Sequence, residues 1–170
     1  MEFQSCFDII GPIMVGPSSS HTAGVVSIGK FIYELLGDCP QEANIVFYDS
    51  FAETYQGHGT DKALLGGLLG MDTDDSRIKN SLEWAKESGM QYQFEFAESC
   101  EYYDHPNITI VTAKCGDYVV KVGGVSLGGG LSKIFMIDDE MVHIRLSAGE
   151  DFTALARHYQ PIRKELMEAI

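Results

Sequence analysis

Apolar residues recur every three or four positions between Ser20 and Leu36. Val25, Ile28, Ile32 and Leu35 form one line, with Phe31 and Leu36 beside it. That spacing predicts a helix with one buried stripe, and Gly37 supplies its stop signal. Cys6 to Ile10 reads as a short helix or strand. Ile45 to Tyr48 reads as a short buried strand, and Asp49 to Gly59 has no period and predicts a loop. A second helical pattern covers Thr60 to Leu69, with Ala63, Leu64 and Leu68 on one side. Gly66 and Gly67 inside it cost about 1 kcal/mol each relative to alanine, which points to close approach of another backbone. A third helix is predicted from Asp75 to Ser88 on Ile78, Leu82 and Ala85.

The period then changes. Tyr92, Phe94 and Phe96 alternate with Gln93 and Glu95, the mark of a half-buried strand. Ile108 to Lys114 and Tyr118 to Val122 flank Gly116-Asp117, a hairpin signal. Gly123 to Gly130, "GGVSLGGG", predicts a glycine-rich turn. Lys133 to Ile137 and Met141 to Leu146 predict a second hairpin around Asp138-Asp139. The tail from Phe152 to Ile170 is helical in pattern, with Pro161 as a break or kink. Helices come first and strands second, and alternating βαβ units are not evident. The expected fold is therefore α+β, with helices packed on one face of a mostly antiparallel sheet. Neither an internal repeat nor a dividing linker is visible.

Composition narrows the function. The 170 residues carry 25 acidic and 12 basic side chains, a formal charge of −13. Nucleic-acid affinity comes from lysine and arginine neutralising phosphates, so no nucleic acid and no anionic membrane surface is expected as a partner. The first ten residues, "MEFQSCFDII", have no basic n-region. No apolar run approaches the roughly 20 residues of a membrane span. The expected compartment is the cytoplasm. Cys6, Cys39, Cys100 and Cys115 are scattered, without metal-ligand spacing. They read as small hydrophobes, and a disulfide framework is not expected.

Three segments carry candidate chemistry. The first is "GPSSSHT", Gly16 to Thr22, immediately before the first apolar helix. One hydroxyl suits an N-cap, which leaves two more serines, His21 and Thr22 unexplained. A helix start offers unpaired N–H groups and partial positive charge, so hydroxyls around it suit a carboxylate or phosphate. The sequence lacks the Gly-x-Ser-x-Gly of a hydrolase elbow. The second is "GHGTDKA", Gly57 to Ala63, with His58 between two glycines. His58 reads either as a solvated loop histidine or as a general acid/base. Thr60 or Asp61 caps the next helix, or Asp61 orients the His58 ring. The third is His105-Pro106-Asn107, a turn entering a strand. His143 and His158 read as ordinary surface or hydrogen-bonded histidines. "SLGGG", Ser126 to Gly130, fits neither the P-loop nor the Rossmann pattern and reads as a tight turn that could line a cleft.

In this order and spacing, "GPSSSHTAG", "GHGTD", "HPN" and "SLGGG" resemble the β chain or β domain of bacterial iron–sulfur-dependent L-serine dehydratase (L-serine ammonia-lyase). The resemblance spans about the first 146 residues. It implies a heteromeric lyase that converts L-serine to pyruvate and ammonia through 2-aminoacrylate. A [4Fe–4S] cluster would sit on a partner α chain, no pyridoxal phosphate would be used, and no metal would be bound by this chain. The fold would resemble the allosteric-substrate-binding domain shared with some phosphoglycerate dehydrogenases. His58 and His21 would be catalytic, and Ser18, Ser19, Ser20 and Thr22 would bind substrate, with His105 and Asn107 second to them. Residues 1–150 would form the β domain and 151–170 a helical tail, with no room for an ACT domain. Two positions depart from the family pattern. Val25 stands where proline is usual, and Gln56 stands where lysine is often found. Homodimerisation is left open. The alternative from a different class is a non-catalytic module that binds serine or another small carboxylate or phosphate anion.

Overall fold

The structure is a computed structural model that describes residues 22–168, with side chains described except at 56, 58 and 161–168. The segment Cys6 to Ile10 lies outside that range. Six strands form one sheet in the order β2-β1-β3-β4-β5-β6. They are β1 (Glu42–Tyr48), β2 (Gln91–Ala97), β3 (Ile108–Cys115), β4 (Tyr118–Gly128), β5 (Leu131–Ile137) and β6 (Glu140–Ser147). The helices are α1 (Ala23–Leu36), α2 (Ser50–His58), α3 (Thr60–Leu68), α4 (Ser81–Glu87) and α5 (Thr153–Glu168), with a 3-10 turn at Ser76–Asn80.

The fold is α+β, but the sheet is mixed, which corrects the expectation of a mostly antiparallel one. β1 and β2 run parallel, Ile45 opposite Phe94. Parallel neighbours need a crossover, and α2, α3, the 3-10 turn and α4 provide it. One βαβ unit is thus present that sequence order alone did not suggest. β3 returns on the other side of β1 in antiparallel register, and the remaining strands follow as antiparallel neighbours.

The helix-side core contains Ile45, Phe47, Val111, Val122, Ile134, Ile144 and Leu146 from the strands, met by Val25, Ile28, Ile32 and Leu35 of α1. The α1 stripe is therefore the one the spacing predicted. Gly37 closes the helix in the left-handed region (φ 84°), its N–H donating to the Tyr33 carbonyl at 2.9 Å. The side chain of Gln160 in α5 donates to the last-turn carbonyls of Glu34 and Leu35, satisfying groups a helix end leaves open. The opposite face carries a smaller core of Ile108, Ile110, Val125, Phe135 and Met136, with Tyr48, Cys100, Tyr103 and Leu127 packed on it.

Four local expectations change. Residues 49–59 are not a loop, because α2 occupies Ser50–His58. Phe51 is fully buried and Tyr55, one turn later, is half-buried. Their rings pack on Phe47 and on Phe94 and Phe96 of β2, with Tyr55 to Phe96 at 4.6 Å. Tertiary burial of two aromatic rings outweighs the weak local pattern. "GGVSLGGG" is not all turn, since β4 continues to Gly128. A Cβ at Gly123 would strike the Phe135 ring at 2.7 Å, and one at Gly124 would strike Ile28 at 2.8 Å. The glycines there make room above and below a strand. Pro161 does not break α5, which runs through it. The predicted third helix begins as the 3-10 turn before α4, and it buries Ile78 and Ala85 as expected. Both hairpins form. Asp138 and Asp139 take positive φ at the second turn, as a two-residue hairpin loop favours.

Gly67 has the use expected of it. A Cβ there would lie 2.3 Å from the Val26 carbonyl oxygen of α1, and a Cβ on Gly29 would lie 2.6 Å from the Leu64 carbonyl oxygen. Gly66 instead faces the Ile78 side chain. Gly67→Ala must therefore push two helix backbones apart. A loss of about 1–3 kcal/mol is expected in urea unfolding. Gly57→Ala is the control. Its Cβ would meet nothing within 4 Å, so removing a helical glycine there should gain about 0.5–1 kcal/mol. Equal effects at the two sites would refute the close-contact account.

Candidate functional site

Ser18, Ser19, Ser20 and His21 lie outside the described residues. Thr22 is the residue from which α1 starts. It is 2% exposed, and its carbonyl accepts from the Val26 N–H at 2.9 Å. Its side chain does not cap the helix, and no acidic residue occupies the first turn. The start of this 14-residue helix therefore keeps its partial positive charge without an acidic side chain of its own. Beneath it lies the sheet. A Cβ on Gly24 would fall 2.1 Å from Ser126 Oγ, so glycine is what lets the helix start settle on β4. Ser126 pairs directly with Ser132 of β5, and both are fully buried. Among the described residues neither hydroxyl has a hydrogen-bond partner, and neither does Asn107 Oδ1. Each such group costs about 1–3 kcal/mol. The Asn107 carbonyl accepts from the Ser126 N–H at 3.0 Å, so the "HPN" and "SLGGG" segments are neighbours below α1.

The sequence places Ser126 only in a turn that could line a cleft and does not single out Ser132. The available signal was parity. Ser126 falls on the same face as Val122 and Gly124, where an apolar residue is expected, yet it carries a hydroxyl.

In the second segment, His58 is the last residue of α2, not a loop residue. Gly59 at φ 70° turns the chain directly into α3. Neither Thr60 nor Asp61 is the N-cap. Asp61 lies in the first turn and accepts from the Lys62 N–H at 2.8 Å, where negative charge suits the helix dipole. Burial pushes its carboxyl pKa up, against the hydrogen bond and the charge of Lys62. Thr60 is fully buried, and its Oγ1 has no partner among the described residues.

In the third segment, His105 Nδ1 accepts from the Asn107 N–H at 3.0 Å. The neutral ring then carries its proton on Nε2. Burial lowers the His105 pKa, and Asp104 opposes that shift. The Pro106 carbonyl accepts from the Ser50 N–H at 3.0 Å, which ties this turn to the start of α2. The structure thus brings Asn107 to the base of α1, while His105 faces a cleft it shares with Tyr103, Lys133, His143 and Arg145. His158 packs edge-on against Tyr159.

Among the described residues, no group of three or more His, Cys, Asp or Glu side chains could hold a metal ion. Cys39, Cys100 and Cys115 are free thiols. An iron–sulfur cluster therefore does not fit the described part of this chain. Among the same residues, no helix is long and apolar enough to cross a membrane.

A family model for the serine dehydratase beta chain matches residues 5–116. A probable L-serine dehydratase beta chain of Bacillus subtilis (strain 168) is 44% identical over 147 residues, covering 86% of this chain and 65% of that protein. The L-serine dehydratase beta chain of Peptoniphilus asaccharolyticus is 41% identical over 155 residues, covering 91% and 68%. L-serine dehydratase 2 of Escherichia coli (strain K12) is 33% identical over 159 residues, covering 80% of this chain and 34% of its own length. The chain spans 65% and 68% of the two beta chains and 34% of the longer enzyme.

The buried carboxyl of Asp61 makes a prediction about pH. Its folded pKa lies above the unfolded one, so its contribution to stability is present below the unfolded pKa and is lost as pH rises through the folded one. Asp61→Asn keeps an oxygen for the Lys62 N–H and removes the charge. At pH 7 to 8 its melting temperature should equal or exceed that of the natural chain. The gap should close as pH falls through the raised pKa towards the ordinary carboxylate range. A gap independent of pH, read from thermal melts across that window, would refute the assignment.

Proposed function

This chain belongs to the serine dehydratase beta chain family, and we propose that it is the β subunit of an L-serine ammonia-lyase completed by an α chain. The observation that carries the reading is the match over residues 5–116, which contains both "GPSSSHT" and "GHGTD". The [4Fe–4S] cluster belongs to the α chain in this reading, and no step at the metal is assigned to residues of this one. Residues 1–150 act as the β domain, of the allosteric-substrate-binding type, and 151–170 as a helical tail. Helices packed on one face of the six-stranded sheet support that assignment. The acidic charge supports a cytoplasmic protein with no nucleic-acid or membrane partner.

The reaction removes the Cα proton and the β-hydroxyl of L-serine as water, leaving 2-aminoacrylate. Its imine tautomer then hydrolyses to pyruvate and ammonia. The substrate carboxylate needs donors, and the start of α1 supplies N–H groups with the hydroxyls of Ser18, Ser19, Ser20 and Thr22 before it. His58, at the end of α2, moves a proton at Cα, and His21 is the second proton-handling group. Asn107 stands one step back, and His105 holds its backbone through Nδ1. Buried Asp61, three residues beyond His58, keeps negative charge at the start of α3.

Anaerobic co-expression with an α chain tests the reading. The complex should form pyruvate from L-serine, and the isolated chain should not. His58→Ala should lower kcat by about a hundredfold or more without lowering the melting temperature of the complex. Serine-to-alanine changes at Ser18 to Ser20 should raise KM. A complex with an intact cluster that binds L-serine without turning it over would make this chain a binding module instead.

A further inference from the structure

On the face of the sheet away from α1, the ends of β4, β5 and β6 and the His105 turn enclose an open cleft of ≈ 590 Å³. Lys133, Arg145, His105 and His143 line it together with Tyr103, Leu127 and Leu131, and no acidic residue is among these. That is an unusual concentration in a chain of net charge −13.

The strand register makes the arrangement costly. Lys133 stands directly opposite Arg145, and like charges placed opposite each other on neighbouring strands destabilise a sheet. Neither forms an ion pair among the described residues. Lys30, Arg77 and Lys121, by contrast, are neutralised by Asp72, Asp75 and Asp139. Lys133 is also held in place, with Nζ 5.1 Å from the centre of the Tyr103 ring. That ring stacks on the buried Phe135 ring at 4.9 Å. His105 is oriented by its bond from the Asn107 N–H, which leaves Nε2 as its donor.

We propose that this cleft binds a small organic anion, a carboxylate or phosphate, seated between Lys133 and Arg145 on the Tyr103–Leu127–Leu131 floor. The Arg145 fork gives paired N–H donors and Lys133 a point charge, both suited to planar or tetrahedral oxyanions. The leucines and the Tyr103 ring take the carbon part of the ligand. Neighbouring side chains on a strand point to opposite faces. Ser132 and Ile134 lie on the helix side, so Lys133 lies away from it. The site is therefore separate from the one at the start of α1, and it stands whether or not the chain serves a lyase.

The test titrates the full chain with inorganic phosphate and, separately, with acetate, against sodium chloride at equal ionic strength. The ring resonances of His105 and His143 report binding. Saturable shifts with phosphate or acetate, absent with chloride, are expected, and the tighter probe identifies the oxyanion class. Lys133→Gln and Arg145→Gln should each weaken binding by about tenfold or more. Each should leave the melting temperature in chloride unchanged or raised, because the like-charge pair is relieved. Shifts equal to those in chloride would overturn the proposal, as would unchanged affinity in the double variant.

Discussion

The close seating of α1 is the constraint from which the rest of the structure follows. Gly24 lets its start settle on Ser126 of β4, and Gly29 and Gly67 let its middle touch the α3 backbone. A methyl group at any of the three would meet another atom at 2.6 Å or less. With α1 held this way, all seven residues from Ala23 to Gly29 are buried. Its start is therefore embedded in protein, where a helix end acts on whatever lies beside it with little screening. The hydroxyls of Ser126 and Ser132 and the amide oxygen of Asn107 are buried without partners among the described residues, in the same region of the sheet. Groups that costly call for a partner that the described residues do not supply.

The two faces of the sheet are used differently. The helix side carries the larger apolar core and the start of α1. The other side has a small core around Phe135 and Met136, and beyond it a row of polar and cationic side chains. The "HPN" turn joins the faces. Its Asn107 carbonyl reaches Ser126 under α1, while His105 looks out on the opposite cleft. A change in the packing of that turn would therefore be felt on both sides through two hydrogen bonds.

Where the sequence carried a strong period, the structure could be anticipated. The α1 stripe, Gly37, the alternating aromatics of β2 and both hairpins follow from residue spacing. What could not be read was tertiary. α2 forms because Phe51 packs on Phe47 at the end of β1 and Tyr55 finds Phe94 and Phe96, residues distant in sequence. The parallel pairing of β1 and β2 follows from a crossover made of short helical pieces that no single pattern announces. The glycines of "GGVSLGGG" looked like turn chemistry because a strand with no side chains at two positions makes sense only once Phe135 and Ile28 are seen lying over them. The candidate segments stood out in the sequence as motifs. Ser132 did not, since a serine in "LSKIF" is ordinary until its face of the strand is known.

The distribution of charge points to incompleteness. The start of α1 has donors and no acidic residue in its first turn, while the described residues offer no ligand set for a metal. Asp61, buried with a raised pKa, answers its own helix through the Lys62 N–H. A carboxylate seated at α1 would satisfy the donors there, but eliminating hydroxide from serine also requires a group that takes up the departing oxygen. The described residues hold no ligand set for a metal that could take that part. In the reading proposed above, that group belongs to a second chain, and the start of α1 supplies only the donors.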